Sequence, residues 1–505
     1  MIKIKLFCIC NLLLFLSFKM VNSIIIDTPI IIAGTAKITG RIITPNGINN
    51  ASILVTIGVP HPITGEFVKY EAVVDESGRF SMDFDMETNT SFIGLYSSIN
   101  PYKTLMVKSI NGGVTNIVIA YNSDLDIKNI DVTPAMNQYD MSQSMEVLRK
   151  MIDYRPDGAY KVLYDKSSDE FQNYAKTVVS ERSAIFLNKD TLLSKEFKRI
   201  VSREFRLFMY NAHVFDYEGQ MIHNYRNATR DEIGKPEIQK IDKSYFRFLK
   251  DFNLNDPEYL QSFTFPEVQN AILLNDVLRL PRVGESNIAA WLENVKVILS
   301  DLVGFDDGPY YDILVANAFA RQLNEEVKPL TEKQKENIAH YWKNGEIAKI
   351  LFRKNKQIVQ LNKVKSPAVV NDISSVPKEK IIETIISKYK DKVVFVDLWA
   401  TWCGPCLDGI KQFSTVKADF RDKDVVFVYI TNESSPKKLW GEKIKGIGDE
   451  HYYLTDAQWE FMMKYFGFEG IPSYLLYNKE GVVINKFTGF AGNEAVKKAI
   501  YSILK

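Results

Sequence analysis

The stretch Val396–Gly409, VDLWATWCGPCLDG, holds both cysteines that lie beyond residue 10. Two cysteines with two residues between them can form a redox centre, half of a zinc site or a small structural staple. A zinc site takes about four ligands, usually from two such pairs or from one pair and two well-spaced histidines. No second pair follows, and His61, His213, His223, His340 and His451 are isolated from one another, so no metal is expected. A staple over so short a loop would achieve little, because stabilisation through chain entropy grows with loop size.

The placement of the pair favours chemistry. A β-branched run, KVVFVDLWA, leads into Cys403, and a helical pattern follows with Leu407, Ile410, Phe413, Val416 and Phe420 on its apolar side. At such a strand-to-helix junction the first sulfur faces unpaired backbone N–H groups and the positive end of the helix dipole. Both favour the thiolate, the species that attacks disulfides. Cys406, one turn later, is within reach to resolve the mixed disulfide. Pro405 is compatible with a first helical turn, where its missing N–H would be unpaired anyway.

The elements that must position this pair follow in order. KVKSPAVVNDISSVPKE, with its prolines and serines, reads as a linker. A helix KEKIIETIISKYK, the cysteine-bearing strand and helix, and a strand DVVFVYIT come next. After a long segment, a hairpin SYLLYNKEGVVINKF and a helix NEAVKKAIYSILK end the chain. Such an order implies a mixed central sheet with helices on both faces.

VDLWATWCGPC resembles the active-site segment of the thioredoxin superfamily, and LWATWCGPC is similar to its exported disulfide reductases of the TlpA type. The resemblance covers the last quarter or so of the chain and implies a thioredoxin-like α/β fold. It makes Cys403 the nucleophile and Cys406 the resolving thiol, so the redox-active dithiol needs no added cofactor. It packs Trp399 under the pair and Trp402 beside it, at the substrate. Asp397 matches the buried aspartate of thioredoxins; a shielded carboxyl has a raised pKa and can exchange a proton with the second cysteine. Strand alternation places it opposite Val396 and Leu398, and a helix-covered sheet has no wet central face. GIPS at 470–473 matches the family's cis-proline loop, in which Pro472 leaves the backbone of Ile471 to pair with an extended substrate.

Two positions depart from that family. Many exported relatives carry a Glu three residues and a Pro five residues after the second cysteine, where this chain has Gly409 and Lys411. A role in cytochrome c assembly, which uses that Glu, is therefore not expected. A peroxiredoxin pattern is also absent, since Thr401 lies two rather than three residues before Cys403. The expected function is reduction of disulfides in exported proteins, with a membrane thiol carrier as electron donor. The reducing direction is inferred from Gly404 and Pro405, the pair that thioredoxin holds between its cysteines at about −270 mV. The alternatives are a disulfide oxidase or isomerase, or a partner-binding scaffold that carries the fold.

At 505 residues the chain has room for about three domains. A composition of 46% hydrophobic and 25% charged residues is ordinary for a globular protein. A net charge of +1 gives no reason to expect a nucleic acid partner. The segment Met1–Ser23 reads as a signal peptide: Lys3 and Lys5 precede the apolar run Leu6–Phe18, and Val21 and Ser23 suit cleavage after Ser23. Cys8 and Cys10 lie inside that run, where lipid attachment is not expected. The run is too short to span a bilayer, which takes roughly 20 residues. The protein is expected to be exported, to the periplasm or cell envelope if bacterial, and not transmembrane once cleaved.

Residues 24–128 read as a small β-sandwich. Turn residues Pro45, Asn46 and Gly47 and the span Asp75–Gly78 punctuate short β runs, and Phe80, Met82 and Phe84 alternate with polar neighbours. ITGRI and VDESGRFSMDF resemble carboxypeptidase regulatory-like domains, which implies a docking or packing module. Residues 129–362 read as helical. Ile288, Trp291, Leu292, Val295, Ile298, Leu299 and Leu302 mark one buried face, with Ser286 or Asn287 to cap it and Gly304 to end it. Thr331 with Gln334 makes a capping box. The aromatic-rich stretch REFRLFMYNAHVFDYEGQMIHNY reads as helical core rather than a ligand surface. Residues 363–505 form the thioredoxin-like domain.

Overall fold

The structure is a computed structural model. It describes residues 28–45, 50, 53–156, 161–231, 234, 236–364, 366–414 and 416–504. The signal-peptide expectation and the turn at Asn46–Gly47 fall outside these residues.

Eight strands open the described chain: β1 (Ile31–Ile43), β2 (Leu54–His61), β3 (Glu66–Val73), β4 (Arg79–Thr88), β5 (Thr90–Ser97), β6 (Leu105–Ile110), β7 (Val114–Tyr121) and β8 (Ile127–Thr133). They form two four-stranded sheets, ordered β4-β1-β7-β8 and β3-β2-β5-β6. Period-two alternation gives each sheet one apolar face. Phe80, Met82, Phe84 and Met86 of β4 point inward against Ile38, Ile42, Val55, Ile57 and Leu95, while Ser81 and Asp83 face solvent. β8 straddles residue 128, so strand structure continues into the region read as helical.

Helices follow from Gln138 to Val364. The helix Ile288–Val303 buries Trp291, Leu292, Val295, Leu299 and Leu302, with Ile298 only partly covered. The Asn287 side chain accepts from the Ala290 N–H at its start, and Gly304, at φ 87°, ends it in the left-handed conformation. Thr331 and Gln334 form a capping box, as do Ser167 with Glu170. The aromatics between Phe205 and Met221 fill the core of this region. Its last helix, Glu346–Val364, is fastened to the sandwich: Arg353 donates to the carbonyls of Gly34 (2.6 Å) and Met86 (3.0 Å), and the Ala33 N–H donates to Glu346 (2.7 Å).

The C-terminal sheet has six strands in the order β14-β13-β10-β11-β12-β9. They are β9 (Ala368–Asn371), β10 (Val393–Leu398), β11 (Val425–Asn432), β12 (Asp449–Leu454), β13 (Ser473–Tyr477) and β14 (Val483–Thr488). β10, β11, β12 and β9 run parallel; β13 is antiparallel to β10 and β14 to β13. β10 is buried along its whole length, which explains its unbroken apolar run around one aspartate. Helices Gly404–Ser414, Lys437–Ile447 and Asn493–Ile503 cover one face. Helices Ile381–Ser387 and Asp456–Phe466 cover the other. The segment read as a linker contributes the edge strand β9, whose hydrogen bonds come from β12 rather than from any local pattern. The chain is thus multidomain, with β sheets in front, helices in the middle and a mixed α/β sheet at the end. No described helix is long and apolar enough to cross a membrane.

Candidate active site

Cys403 ends the turn that leaves β10, and the helix Gly404–Ser414 begins at the next residue. The Cys403 N–H closes a turn onto the Ala400 carbonyl (3.1 Å), and the Cys403 carbonyl accepts from the Leu407 N–H (3.1 Å). The two cysteines are joined as a disulfide. The Cys406 N–H donates to Cys403 Sγ (3.2 Å), so a backbone dipole of the first turn points at the first sulfur. Cys403 retains a sliver of exposure at 4%, whereas Cys406 is sealed at 0%.

The aromatic neighbours divide by exposure. Trp399 is fully buried in the cluster that contains both cysteines. Trp402 stands out at 64% exposure, its indole N–H donating to Ser434 Oγ (3.1 Å). The turn between them is tied to the loop after β11: the Thr401 N–H donates to Ser435 Oγ (3.0 Å), itself 2.8 Å from Thr431 Oγ1. Gly404 and Pro405 form the exposed first turn between the cysteines.

Asp397 lies on the sheet face that looks toward the active-site helix, with Val393 and Phe395, while Val394, Val396 and Leu398 face the other layer. In register, Tyr474 of β13 and Tyr429 of β11 flank it on either side. Its Oδ1 has no hydrogen-bond partner among the described residues. Burial pushes the Asp397 carboxyl well above the usual carboxylate range, and the Lys417 ammonium opposes that only in part. Lys417 is itself paired with Asp449 and lies 4.7 Å above the Tyr429 ring.

The Ile471–Pro472 peptide is cis. Pro472 is buried and Ile471 partly so, immediately before β13, the strand that pairs with β10. The Pro472 carbonyl accepts from the Gly489 N–H (2.9 Å), and Ser473 Oγ donates to the Gly470 carbonyl (2.6 Å), which pins the loop on both sides. The fold thus gathers Cys403, Cys406, Asp397 and Trp399 on one face of β10 and its following helix. Among the described residues, no group of three or more His, Cys, Asp or Glu is placed to hold a metal.

Three contributors to this region carry no motif in the sequence. Tyr474 brings its hydroxyl against the active-site helix, 2.9 Å from where a Cβ on Gly409 would sit. Lys69 and Glu66 reach the same helix from the sandwich, pairing with Asp408 (2.7 Å) and Lys411. Their partners lie at sequence separations of 339 and 345, and no local pattern signals them.

Residues 363–502 match the family model described as Redoxin. Thiol-disulfide oxidoreductase ResA of Geobacillus thermodenitrificans is 25% identical over 118 residues, 23% of this chain and 67% of that protein. ResA of Geobacillus kaustophilus shows the same values. Among solved structures, StoA from Bacillus subtilis is 22% identical, with 22% of this chain and 82% of that one covered and a TM-score of 0.19. The exposed lipoprotein thioredoxin Etrx1 from Streptococcus pneumoniae is 20% identical, covering 23% and 89%, with a TM-score of 0.21. With its sheet order, its cysteines at a helix start and the family match over residues 363–502, the C-terminal domain of this chain is a thioredoxin-superfamily domain of the Redoxin type.

Proposed function

We propose that this chain is a thiol–disulfide oxidoreductase that reduces disulfides in exported proteins through Cys403 and Cys406. The observation that carries the reading is the disulfide at a helix start, with Cys403 at 4% exposure, Cys406 fully buried and a buried aspartate, Asp397, on the preceding strand. In the reduced enzyme the Cys403 thiolate, favoured by the backbone N–H groups beneath it, attacks a substrate disulfide. One substrate sulfur leaves as a thiolate and the other stays joined to Cys403. Asp397 takes the proton of Cys406, whose thiolate attacks Cys403 Sγ and releases the second substrate thiolate. The Ile471–Pro472 loop and the exposed Trp402 hold the substrate chain beside Cys403. Gly404 and Pro405 set the reducing poise, and Trp399 packs beneath the pair. A membrane thiol donor then regenerates the dithiol.

The relatives called thiol-disulfide oxidoreductase support the reaction class. Export and the reducing direction rest on the amino-terminal residues and the Gly-Pro dipeptide. We read residues 24–128 and 129–362 as two further domains that select the substrate. A glutathione redox titration of the full chain tests the direction: the expected midpoint lies near about −270 mV, and one near about −120 mV makes the protein an oxidase. Cys403→Ser must abolish disulfide turnover; retained turnover removes the reading altogether. Cys406→Ala should leave mixed disulfides with the natural substrates in place for identification.

A further inference from the structure

Trp402 directly precedes Cys403 and leaves 64% of its surface bare, yet a line of hydrogen bonds holds it. Its indole N–H donates to Ser434 Oγ (3.1 Å), and the Ser434 hydroxyl donates in turn to Asn432 Oδ1 (2.8 Å). The Asn432 amide donates to Asp456 Oδ1 (2.8 Å), and the Asp456 N–H donates to Glu433 (3.3 Å). Asp456 opens the helix Asp456–Phe466, whose start is fixed by the capping box of Thr455 and Gln458. Asn432 is buried, so the line runs from an exposed indole inward to a fixed helix start. The chain that leaves this helix runs straight into the cis Ile471–Pro472 loop. Trp402 and that loop are therefore anchored to one helix.

Exposure by itself assigns nothing to Trp402, since single apolar side chains on a surface are common. Its restraint is what calls for a cause. A tryptophan used for packing is sealed, as Trp399 is, and one left in solvent keeps more rotamer entropy by staying free. Ser434 is exposed too, and water would serve its hydroxyl equally well. Its proton is instead committed to Asn432, which leaves the oxygen turned to the indole. The adjacent Ser435 accepts from the Thr401 N–H (3.0 Å), so main chain and side chain of the turn before Cys403 are both fixed from one loop. The N–H is the only polar group of an indole. With it taken by Ser434, the exposed part of Trp402 offers carbon and a π face alone.

We propose that Ser434 is a positioning residue for substrate selection: by holding the Trp402 indole through its N–H, it keeps an apolar wall beside Cys403 that favours substrates with an apolar or aromatic side chain next to the reacting cysteine. The wall is set before the substrate arrives, so less freedom is lost on binding. A fixed aromatic face gains most from a second ring or an aliphatic chain laid against it. Ser434 moves no proton or electron in the exchange; it acts on how well the substrate chain is held.

This role rests on the oxidoreductase reading, and its test separates the two. The reduced full chain is mixed in stopped flow with excess symmetric disulfides of two short peptides, one with Phe and one with Ser beside the cysteine. The Phe peptide should half-saturate the rate at about one tenth of the concentration that the Ser peptide needs. Ser434→Ala should raise the half-saturating concentration of the Phe peptide about fivefold, the factor carried by one ordinary hydrogen bond, without lowering the limiting rate. Ser434→Thr keeps the hydroxyl and should restore the parent value. Nitrogen-15 NMR of the Trp402 indole, assigned by its loss in Trp402→Phe, needs no turnover: its N–H should exchange with water faster in Ser434→Ala than in the parent. A half-saturating concentration that Ser434→Ala leaves unchanged, or raises equally for both peptides, overturns the proposal. So does an indole N–H that exchanges equally fast in parent and variant. Turnover that survives Cys403→Ser overturns the oxidoreductase reading instead, whatever the two peptides show.

Discussion

Lys69, on the edge strand of the front sandwich, holds Asp408 of the active-site helix at 2.7 Å. At the start of the same strand, Glu66 is shared between Lys411 of that helix and Lys354 of the helical region, the latter at 2.6 Å. Three parts of the chain therefore meet on one carboxylate that is only 4% exposed in its side chain. Glu71 extends the contact to the last helix by accepting from the Asn493 N–H. The redox helix is thus fastened to the sandwich by charge.

The two partners of Glu66 should respond unequally to mutation. Lys411 is 45% exposed, so water can replace its partner, and Lys411→Met should cost no more than about 1 kcal/mol. Glu66→Gln strands the buried ammonium of Lys354 and should cost about 3–5 kcal/mol. Urea denaturation of both variants checks the order; equal effects would mean that the junction is not organised around Glu66.

Exposure also orders the two thiols. After reduction, iodoacetamide should modify Cys403 well before Cys406, because only the former touches solvent. Its apparent pKa should lie below the ordinary value of about 8.5 for a free cysteine, since a helix begins beneath the sulfur. Mass spectrometry of timed alkylation across pH reads both quantities. Faster labelling of Cys406 would reverse the assigned roles.

How much of this was legible from residues alone depended on range. The α/β character of the last domain follows from local signals: a β-branched run, two cysteines, a helical stripe and a terminal hairpin. The caps at Asn287, Gly304 and Thr331 are equally local, each deciding a hydrogen bond within four residues. Ala368–Asn371 failed as a strand in the sequence because it pairs with β12, which lies on the far side of the cysteine-bearing strand and helix in chain order. Lys69 and Asp408 look like solvated charges until the fold brings them together. Tyr474 reads as one more apolar residue of a hairpin, because nothing in the sequence says where its hydroxyl ends.

Two buried histidines should govern the response to mild acid. Burial holds His451 down to about 4 and His61 down to about 3, so both stay neutral in the native state well below 6.5. Below about pH 6.5 the unfolded chain takes up protons that the native chain refuses, so stability falls as pH falls. Each histidine should contribute a slope of about 1.4 kcal/mol per pH unit. Between pH 6 and 5, His451→Gln should flatten the measured dependence by one such increment; an unaltered slope would place the proton uptake elsewhere.

Asp397 carries the opposite sign. Its carboxyl is raised above the unfolded value of about 3.9, so above that pH the unfolded chain releases a proton that the native chain keeps. Stability therefore declines as pH rises through the window between the two values. Asp397→Asn should match the parent in stability near pH 4 and gain on it progressively at higher pH. At neutrality the gain should be about 1–3 kcal/mol, the order expected for relieving an unpaired buried group. The same variant should resolve mixed disulfides slowly. A stability gain without that loss would leave the aspartate structural.

Gly409 and Tyr474 should behave as one unit. Alanine in a helix interior usually stabilises by about 0.5–1 kcal/mol relative to glycine. Here the added methyl meets Tyr474 Oη at 2.9 Å and Phe490 at 3.2 Å, neither of them the free end of a flexible chain. Gly409→Ala should therefore destabilise the parent by about 1–3 kcal/mol. Tyr474→Phe removes the nearer of the two obstacles, and in that background the same alanine should cost less. A double-mutant cycle on urea midpoints should return a coupling of about 0.5–3 kcal/mol. A coupling of zero would mean that the hydroxyl does not reach the helix.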